Sequence, residues 1–582
     1  MATAKRLYLY FVSGTGLGMA LFGAIAMLHL LLNKVGLGPQ NSGSALSTDG
    51  DRDLLAMAVA VGLVGLALWI FHWALAERMV KAEGDAGASE RASIVRSVYF
   101  AIVLAVLLGI AAVAAVQQLG DSIANALGAR LSFSMSLDDS WSVAAIVVSF
   151  AAWAYHAWVR VRDVRQGTPI EGAAAWISRF YLYGAAFVGL GSMLGSISSM
   201  INTAGSALAN NTYGDVSSML IQPQLGPSTT SWWVRPVVAA IVGLAVWGAV
   251  WLSHWLYSNS LRFDGNSARS ISERTSRVRL AFMMVVVIWG VASVAGAVSS
   301  GIGSLLMTVT GVGSSGVVPL WYTTLLPVVA ALPALAAWLL HRRRAFAESA
   351  VGPAGVSAAR IASYLTAWVG LGLIADGFEI ALSTAFGKWL PGSNGGLFGS
   401  TTDDTTFKLM FALAAGYLLS GLLFWVWPWL SSQRRRYVAG STEVGSSSRG
   451  YYLYLVVGSA IVGGAFSLAL ILYPYLRLAF GLPETNLAST INMPLSLLIV
   501  SAGLLAYHAI VLRSDARPPR LPDSWQVATE PAAPLAPEAP APIAADVPAP
   551  IAPEPQAPIA ADLPAPIAPE APAGDAPGTP TA

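Results

Sequence analysis

Cysteine is absent from the chain. That excludes disulfides, thiolate metal sites, iron–sulfur clusters and cysteine nucleophiles. Charge is scarce too. Asp, Glu, Lys and Arg make up 11% of the 582 residues, against about 25% in a typical soluble domain. The net charge of +2 is too small to draw a nucleic-acid partner. There is no P-loop, no zinc signature and no Ser/His/Asp arrangement, so the reading is of a non-enzymatic chain without a cofactor. What is abundant is apolar: 55% of residues, with a mean hydropathy of +0.61. This balance points to a polytopic membrane protein with the lipid bilayer as its first partner.

A bilayer core needs about 20 apolar residues in helix, because backbone polar groups cannot stay unpaired in lipid. Twelve runs meet that test, near 7–32, 54–76, 97–117, 141–159, 180–203, 234–257, 278–300, 321–341, 361–384, 407–430, 451–473 and 493–513. The first run is longer than the roughly 7–15 residues of a secretory signal and reads as a span. The spans pair into six hairpins, each with a first helix A and a second helix B. Connections from B to the next A are rich in arginine, as at Arg342–Arg344 and Arg434–Arg436. Connections from A to B carry only Lys34, Arg52, Arg130, Arg235, Lys388, Lys408 and Arg477. The positive-inside rule then puts both termini and all B-to-A connections in the cytoplasm of a plasma-membrane protein.

Two patterns recur. Trp69-Ile70-Phe71-His72 near the end of one B run returns as Trp153 to His156, Trp251 to His254 and Trp338 to His341. Trp425-Val426-Trp427-Pro428 loses the histidine, and Leu505-Ala506-Tyr507-His508 loses the tryptophan. In odd hairpins a leading arginine precedes a Gly-Leu-Gly: Arg6 with Gly16 to Gly18, Arg179 with Gly189 to Gly191, Arg360 with Gly370 to Gly372. Even hairpins carry a single glycine instead: Gly109 after Arg96, Gly290 after Arg277, and Gly463 after Gly450 beside Arg449. The unit is therefore four helices, present three times about 175 residues apart. The fold class expected is an all-α membrane protein of about 12 spans in three tandem parallel repeats, 1–174, 175–355 and 356–515, before a Pro/Ala-rich tail, 516–582. Parallel repeats suit a pseudo-threefold arrangement, with a linear array as the other solution. The pairs Gly14/Gly18 and Gly191/Gly195 suggest close helix contacts, with A helices inside and B helices nearer lipid.

The opening Arg6-Leu7-Tyr8-Leu9-Tyr10, repeated at Arg179, Tyr181, Leu182 and Tyr183, resembles an uncharacterised bacterial family of integral-membrane proteins carrying a tandem domain of unknown function. The resemblance covers about residues 6–515. The third copy departs from it, with Arg360-Ile361-Ala362-Ser363-Tyr364. It implies a bacterial membrane location and lends no catalytic residue.

Few residues invite chemistry. His72, His156, His254, His341 and His508 sit at one recurring position. They read either as an interfacial aromatic belt, which is favoured, or as titrating, metal or haem ligands. Asp376 and Glu379 lie on one face of an otherwise apolar run. With His29, Gln117 and Gln118 they outline a polar patch near the outer ends of A helices. It is a solvated helix end or, less favoured, the vestibule of a pathway. The leading arginines Arg6, Arg96, Arg179, Arg277 and Arg360 read as headgroup anchors. The stretch Thr203–Ser231, with Asp215 as its single charge, and the uncharged stretch Ser300–Leu320 are long enough to re-enter the membrane. The tail repeats Ala541-Pro542-Ile543-Ala544-Ala545-Asp546 at Ala557 to Asp562 and reads as a polyproline-II-like arm for a cytoplasmic protein partner, or as a dispensable spacer. The functional expectation is a scaffold or sensor module. A transporter or channel for a small solute or lipid is the alternative, and a histidine-based redox protein is a weaker third.

Overall fold

The computed structural model describes residues 2–35, 48–129, 139–166, 172–213, 233–262, 268–312, 319–349, 357–389, 404–437, 442–481 and 487–516. Among these the chain is helical and no strand occurs. The helices are α1 (Ala2–Lys34), α2 (Thr48–Val80), α3 (Asp85–Arg91), α4 (Ile94–Ala126), α5 (Asp139–Gln166), α6 (Gly172–Tyr213), α7 (Val234–Arg262), α8 (Ala268–Arg274) and α9 (Arg277–Val309). Then follow α10 (Leu326–Ala330), α11 (Leu332–Ser349), α12 (Ala358–Trp389), α13 (Asp404–Arg436), α14 (Ser447–Ala479) and α15 (Leu487–Asp515). Twelve stretches among the described residues are long and apolar enough to cross a membrane, one over each apolar run. The chain is a multi-pass membrane protein.

Three helices show how local sequence sets the ends. Each of α4, α9 and α14 is 33 residues long. Each starts at a serine whose hydroxyl accepts from the backbone N–H three residues on: Ser93 from Arg96, Ser276 from Arg279, Ser446 from Arg449. Such a cap satisfies one of the helix's four orphan donors. Each stops at a glycine with positive φ, Gly128, Gly311 or Gly481. At the first two, the N–H of the following residue bonds the carbonyl five residues back, the left-handed closure that glycine makes without strain.

The eighth span departs from a single helix. A π-helical turn, Trp321–Leu325, runs into α10, and a single turn residue, Ala331, interrupts the regular helix before α11. Pro327 and Pro333 remove amide donors on either side of the interruption. The stretches read as re-entrant segments begin as helix, since α6 runs to Tyr213 and α9 to Val309. Their remaining parts, and the tail from 517 on, lie outside the described residues.

Packing runs in order along the chain. The hairpins are α1 with α2, α4 with α5, α6 with α7, α9 with α11, α12 with α13, and α14 with α15. Helix α1 also packs on α4 and α5, α6 on α9 and α10, and α12 on α14 and α15. Two junctions join these groups: α4 against α6 and α7, and α9 against α12 and α13. Among the described residues no extensive contact joins α1–α5 to α12–α15, so the helices form an open row and not a closed pseudo-threefold ring. The expected inside position of A helices holds in three hairpins and fails in three: α1, α4 and α9 are more buried than their partners α2, α5 and the eighth span, whereas α6, α12 and α14 are less buried than α7, α13 and α15.

The glycine motifs resolve into one contact. The first glycine of each Gly-Leu-Gly lies against the backbone at the tryptophan of the facing Trp-x-x-His or its variant. A Cβ at Gly16 would lie 2.7 Å from the Trp69 nitrogen, at Gly189 2.6 Å from that of Trp251, at Gly370 2.5 Å from that of Trp425. The second glycines, Gly18, Gly191 and Gly372, meet nothing within 4 Å, and neither does Gly195. The paired spacings Gly14/Gly18 and Gly191/Gly195 are therefore not the close-approach register. The α1–α2 crossing brings Gly16, Gly23, Gly62 and Gly65 against facing backbone, and the α12–α13 crossing Gly370, Gly377 and Gly421, so that two backbones touch.

Candidate functional site

At the arginine-rich ends of the spans one constellation occurs three times. In the first, Arg96 is fully buried. Its Nε and Nη2 donate to Asp163 at 2.8 and 2.5 Å, Nη2 donates to Glu77 at 2.8 Å, and Nη1 donates to the Tyr10 hydroxyl at 2.9 Å. Tyr10 in turn donates to Glu90 at 2.9 Å, and Glu90 takes the Nε of Arg6 at 2.6 Å. In the second, Arg279 holds Glu348 at 2.7 and 2.9 Å and Asn259 at 3.2 Å, and donates to Tyr183 at 2.9 Å. Tyr183 donates to Glu273, which pairs with Arg179 at 2.9 Å. In the third, Arg449 holds Asp515 at 2.6 and 3.1 Å and Ser432 at 2.8 Å. Tyr364 donates to Glu443 at 2.6 Å, and Glu443 pairs with Arg360 at 3.1 Å. Each buried guanidinium also stands over a tryptophan ring, Trp73, Trp255 or Trp429, at 5.3–5.5 Å.

A buried arginine is costly unless its donors are matched and its charge is paired. Here both conditions are met, and the network ties the start of the first helix in a group to the end of the last. The leading arginines therefore are not all headgroup anchors. Arg96 is an internal clamp, and Arg279, not Arg277, is its counterpart. Glu443 lies between α13 and α14. Burial pushes its carboxyl up, but the hydrogen bonds from Tyr364 and Arg435 and the charges of Arg435 and Arg360 prevail and hold it below the usual glutamate range.

The recurring histidines are also packed inside. The fractional exposures of His72, His156, His254, His341 and His508 are all 6% or less. Each Nδ1 donates to the carbonyl four residues earlier, at 2.8–2.9 Å. That fixes Nε2 as the acceptor of the neutral ring. Tyr8, Tyr99 and Tyr181 supply hydroxyls to His72, His156 and His254 at 3.2, 3.1 and 3.0 Å. The two departures of the third copy concern one contact: Ala362 stands where Tyr8 and Tyr181 stand, and Pro428 stands where His72 and His254 stand. At His341 and His508 Nε2 is buried without a partner. Phe282 occupies the place of Tyr99 in one case. In the other, Tyr452 accepts instead from Trp425. Among the described residues no group of three or more His, Asp or Glu could hold a metal ion.

The outlined polar patch is dispersed. His29 is buried, bonded to Ser140 at 2.8 Å and stacked on Trp141. Gln118 donates to Ser122 at 3.0 Å, while Gln117 is exposed. Asp376 and Glu379 lie on α12, exposed and half-buried, and α12 makes no extensive contact with α1 or α4.

Sequence reasoning missed the acidic halves of the network. The signal was present as Glu-x-x-Ser-x-x-Arg: Glu90, Ser93, Arg96; Glu273, Ser276, Arg279; Glu443, Ser446, Arg449. Counting only basic residues in those connections hid it.

Two cavities complete the picture. One, of about 330 Å³, is a cleft between α4, α5, α6 and α7 at the arginine-rich end. The other, of about 400 Å³, lies between α6, α9 and the interrupted span, with Ser198, Asn202 and Ser293 in its wall.

No curated protein and no solved structure matches the chain. Two separate regions, residues 6–140 and 360–503, match the family profile of DUF5671, a domain of unknown function; the first begins at the Arg-x-Tyr-Leu-Tyr opening of Arg6, the second at Arg360, whose opening departs from that motif, and the opening at Arg179 falls outside both.

Proposed function

We propose that the protein is a non-enzymatic membrane scaffold built of three tandem four-helix units, set in the plasma membrane with its arginine-rich ends in the cytoplasm. The observation that carries this reading is the thrice-repeated Arg–Glu–Tyr–Arg–carboxylate network. It locks the same ends of successive helices with buried ion pairs, where a transporter needs ends that part. The arginine asymmetry supports the orientation. The Pro/Ala-rich tail is then an arm for a cytoplasmic protein partner.

The test is a distance measurement. Spin labels at Arg78 and Arg434, on the arginine-rich ends of α2 and α13, are placed in the full chain in lipid nanodiscs. A scaffold gives one narrow distance distribution, unchanged by pH, salt or an imposed ion gradient. A second population that responds to a gradient overturns the reading.

One observation favours the alternative, a transporter or channel. The interruption at Ala331 adjoins the cavity of about 400 Å³, and Ser198 donates to the Ala330 carbonyl there at 2.7 Å. Interrupted helices beside a cavity are where membrane proteins tolerate irregular backbone. If a proton-coupled pathway runs past α12, the double variant Asp376→Asn, Glu379→Gln abolishes uptake into proteoliposomes. Unchanged uptake removes that pair from the pathway.

A further inference from the structure

The cleft between α4–α5 and α6–α7 holds a cation, Arg160, that makes no ion pair among the described residues, although Glu273 also lines the wall. Arg160, on α5, lines it together with Ser97, Phe100 and Ala101 of α4 and Tyr181 of α6. Its Nη2 donates to Ser178 at 2.5 Å, and its guanidinium lies 5.7 Å from the centre of the Phe100 ring. Its Nη1 is buried with no hydrogen-bond partner. The hydroxyl of Ser97, a residue 1% exposed, also lines the cleft and is likewise unpartnered. The neighbouring acids are already committed: Asp163 to Arg96 and Arg162, Glu77 to the same two, Glu273 to Arg179. A buried guanidinium without an ion-pair partner, lining the same cavity of about 330 Å³ as an unused hydroxyl, is expensive, and an anion held between the two offsets that cost.

The second junction of the row shows that the cleft is not a by-product of the scaffold. One turn after His341, where Arg160 follows His156, the chain has Ala345. Ser97 and Ala101 become Leu280 and Met284, and Tyr181 becomes Ala362. These residues belong to or pack on one apolar cluster that fills the junction. The first junction keeps open space, a free charge and a hydroxyl together.

We propose that this cleft binds a phosphate-bearing anion, and that its source is an anionic phospholipid drawn from the surrounding bilayer. Arg160 Nη1 and Ser97 Oγ donate to the phosphate, since arginine suits phosphate oxygens. The apolar wall of Leu104, Val161, Leu182 and Leu261 takes the start of the acyl chain. The cleft lies at the arginine-rich ends of the spans, the depth at which phosphate headgroups sit, and basic pockets between spans on that side are where anionic headgroups are held.

The experiment is native mass spectrometry of the full chain released from nanodiscs of equal parts dioleoyl phosphatidylglycerol and dioleoyl phosphatidylcholine. The expected result is one retained phosphatidylglycerol in preference to phosphatidylcholine. Arg160→Gln should weaken retention by about tenfold or more, as loss of a charge-assisted bond pair implies. Ala101→Met, which copies the packing of the second junction, should expel the lipid while leaving Arg160 in place. Tryptophan emission during thermal unfolding checks that both variants fold. Equal retention of the two lipids, or retention indifferent to both substitutions, overturns the proposal. A soluble arm titrates lipid-free protein in detergent with glycerol 3-phosphate. Binding there that is lost in Arg160→Gln, without lipid retention, keeps the phosphate site and rejects the bilayer as its source.

Discussion

Where α4 and α5 meet α6 and α7 the helices leave a cleft of about 330 Å³ with Arg160 in its wall. Where α9 and α11 meet α12 and α13 the corresponding positions are filled by Met283, Met284, Val287, Ala345, Ala358 and Ala362. The two junctions share their clamps, Arg96 and Arg279, and their histidines, His156 and His341. They differ in a handful of side chains between those fixed points. The shared residues hold helices together and the differing ones decide whether space remains, so the clamp and the cleft are separable layers of one interface.

Substitutions and one titration bear on that separation. The largest effect is expected when a clamp is broken. Arg279→Met takes from the buried Glu348 its two short charge-assisted hydrogen bonds, leaving it the longer contact to Arg344 at 3.4 Å, and should cost about 3 kcal/mol. Arg160→Met removes no ion pair and should stay within about 0.5 kcal/mol of the parent or stabilise. Urea unfolding in detergent, followed by tryptophan fluorescence, measures both; equal losses would erase the distinction between clamp and cleft. Next, Met284→Ala should open in the second junction the void that the first one has, at a cost of about 2–4 kcal/mol by the same assay. If it is silent, the second junction is not filled by that side chain.

The glycines should divide the junctions in a third way. A Cβ at Gly416 would lie 2.5 Å from the Ser299 carbonyl oxygen and 2.9 Å from the Gly303 nitrogen, both backbone atoms. Gly416→Ala should therefore cost about 1–3 kcal/mol. At the first junction Gly120 would place its Cβ 3.8 Å from Ala239, and Gly120→Ala should change stability by less than about 0.5 kcal/mol. A smaller effect of opposite sign is expected from Phe282→Tyr. It offers the stranded His341 Nε2 the hydroxyl that Tyr99 gives His156, and should stabilise by about 0.5–1.5 kcal/mol. Destabilisation there would mean the ring has no room for the oxygen.

The last prediction concerns pH. Glu443 is held below its usual value of 4.5, so in the folded chain it gives up its proton more readily than when unfolded. Its contribution to stability is complete above the usual value and is lost as pH falls through the depressed folded one. Amide exchange at Ser446 and Arg449 should be flat from neutral pH down to that range and quicken only below it, after correction for intrinsic rates. Quickening already near neutral pH would contradict the paired carboxylate.

The linear chain was informative wherever one physical rule acts on neighbouring residues. Bilayer thickness selects apolar runs, so each of the twelve spans was legible. Arginine placement marked one end of the helices, and the Trp-x-x-His and Gly-Leu-Gly spacings exposed an internal recurrence. Relations between distant residues were not legible. Nothing local says that Tyr10 reaches Glu90, that Asp163 closes on Arg96, or that Pro428 and Ala362 are two halves of one missing pair. The two glycines of a Gly-Leu-Gly are equivalent along the chain, and only a facing backbone that touches one of them tells them apart. The fold also settled what counting could not: an open row in place of a ring, a polar patch scattered over α1, α4 and α12, and an interruption at Ala331. The cleft beside Arg160 belongs to this second class. A void exists only where four helices fail to fill the space between them, and a charge is unpaired only relative to every other element packed around it.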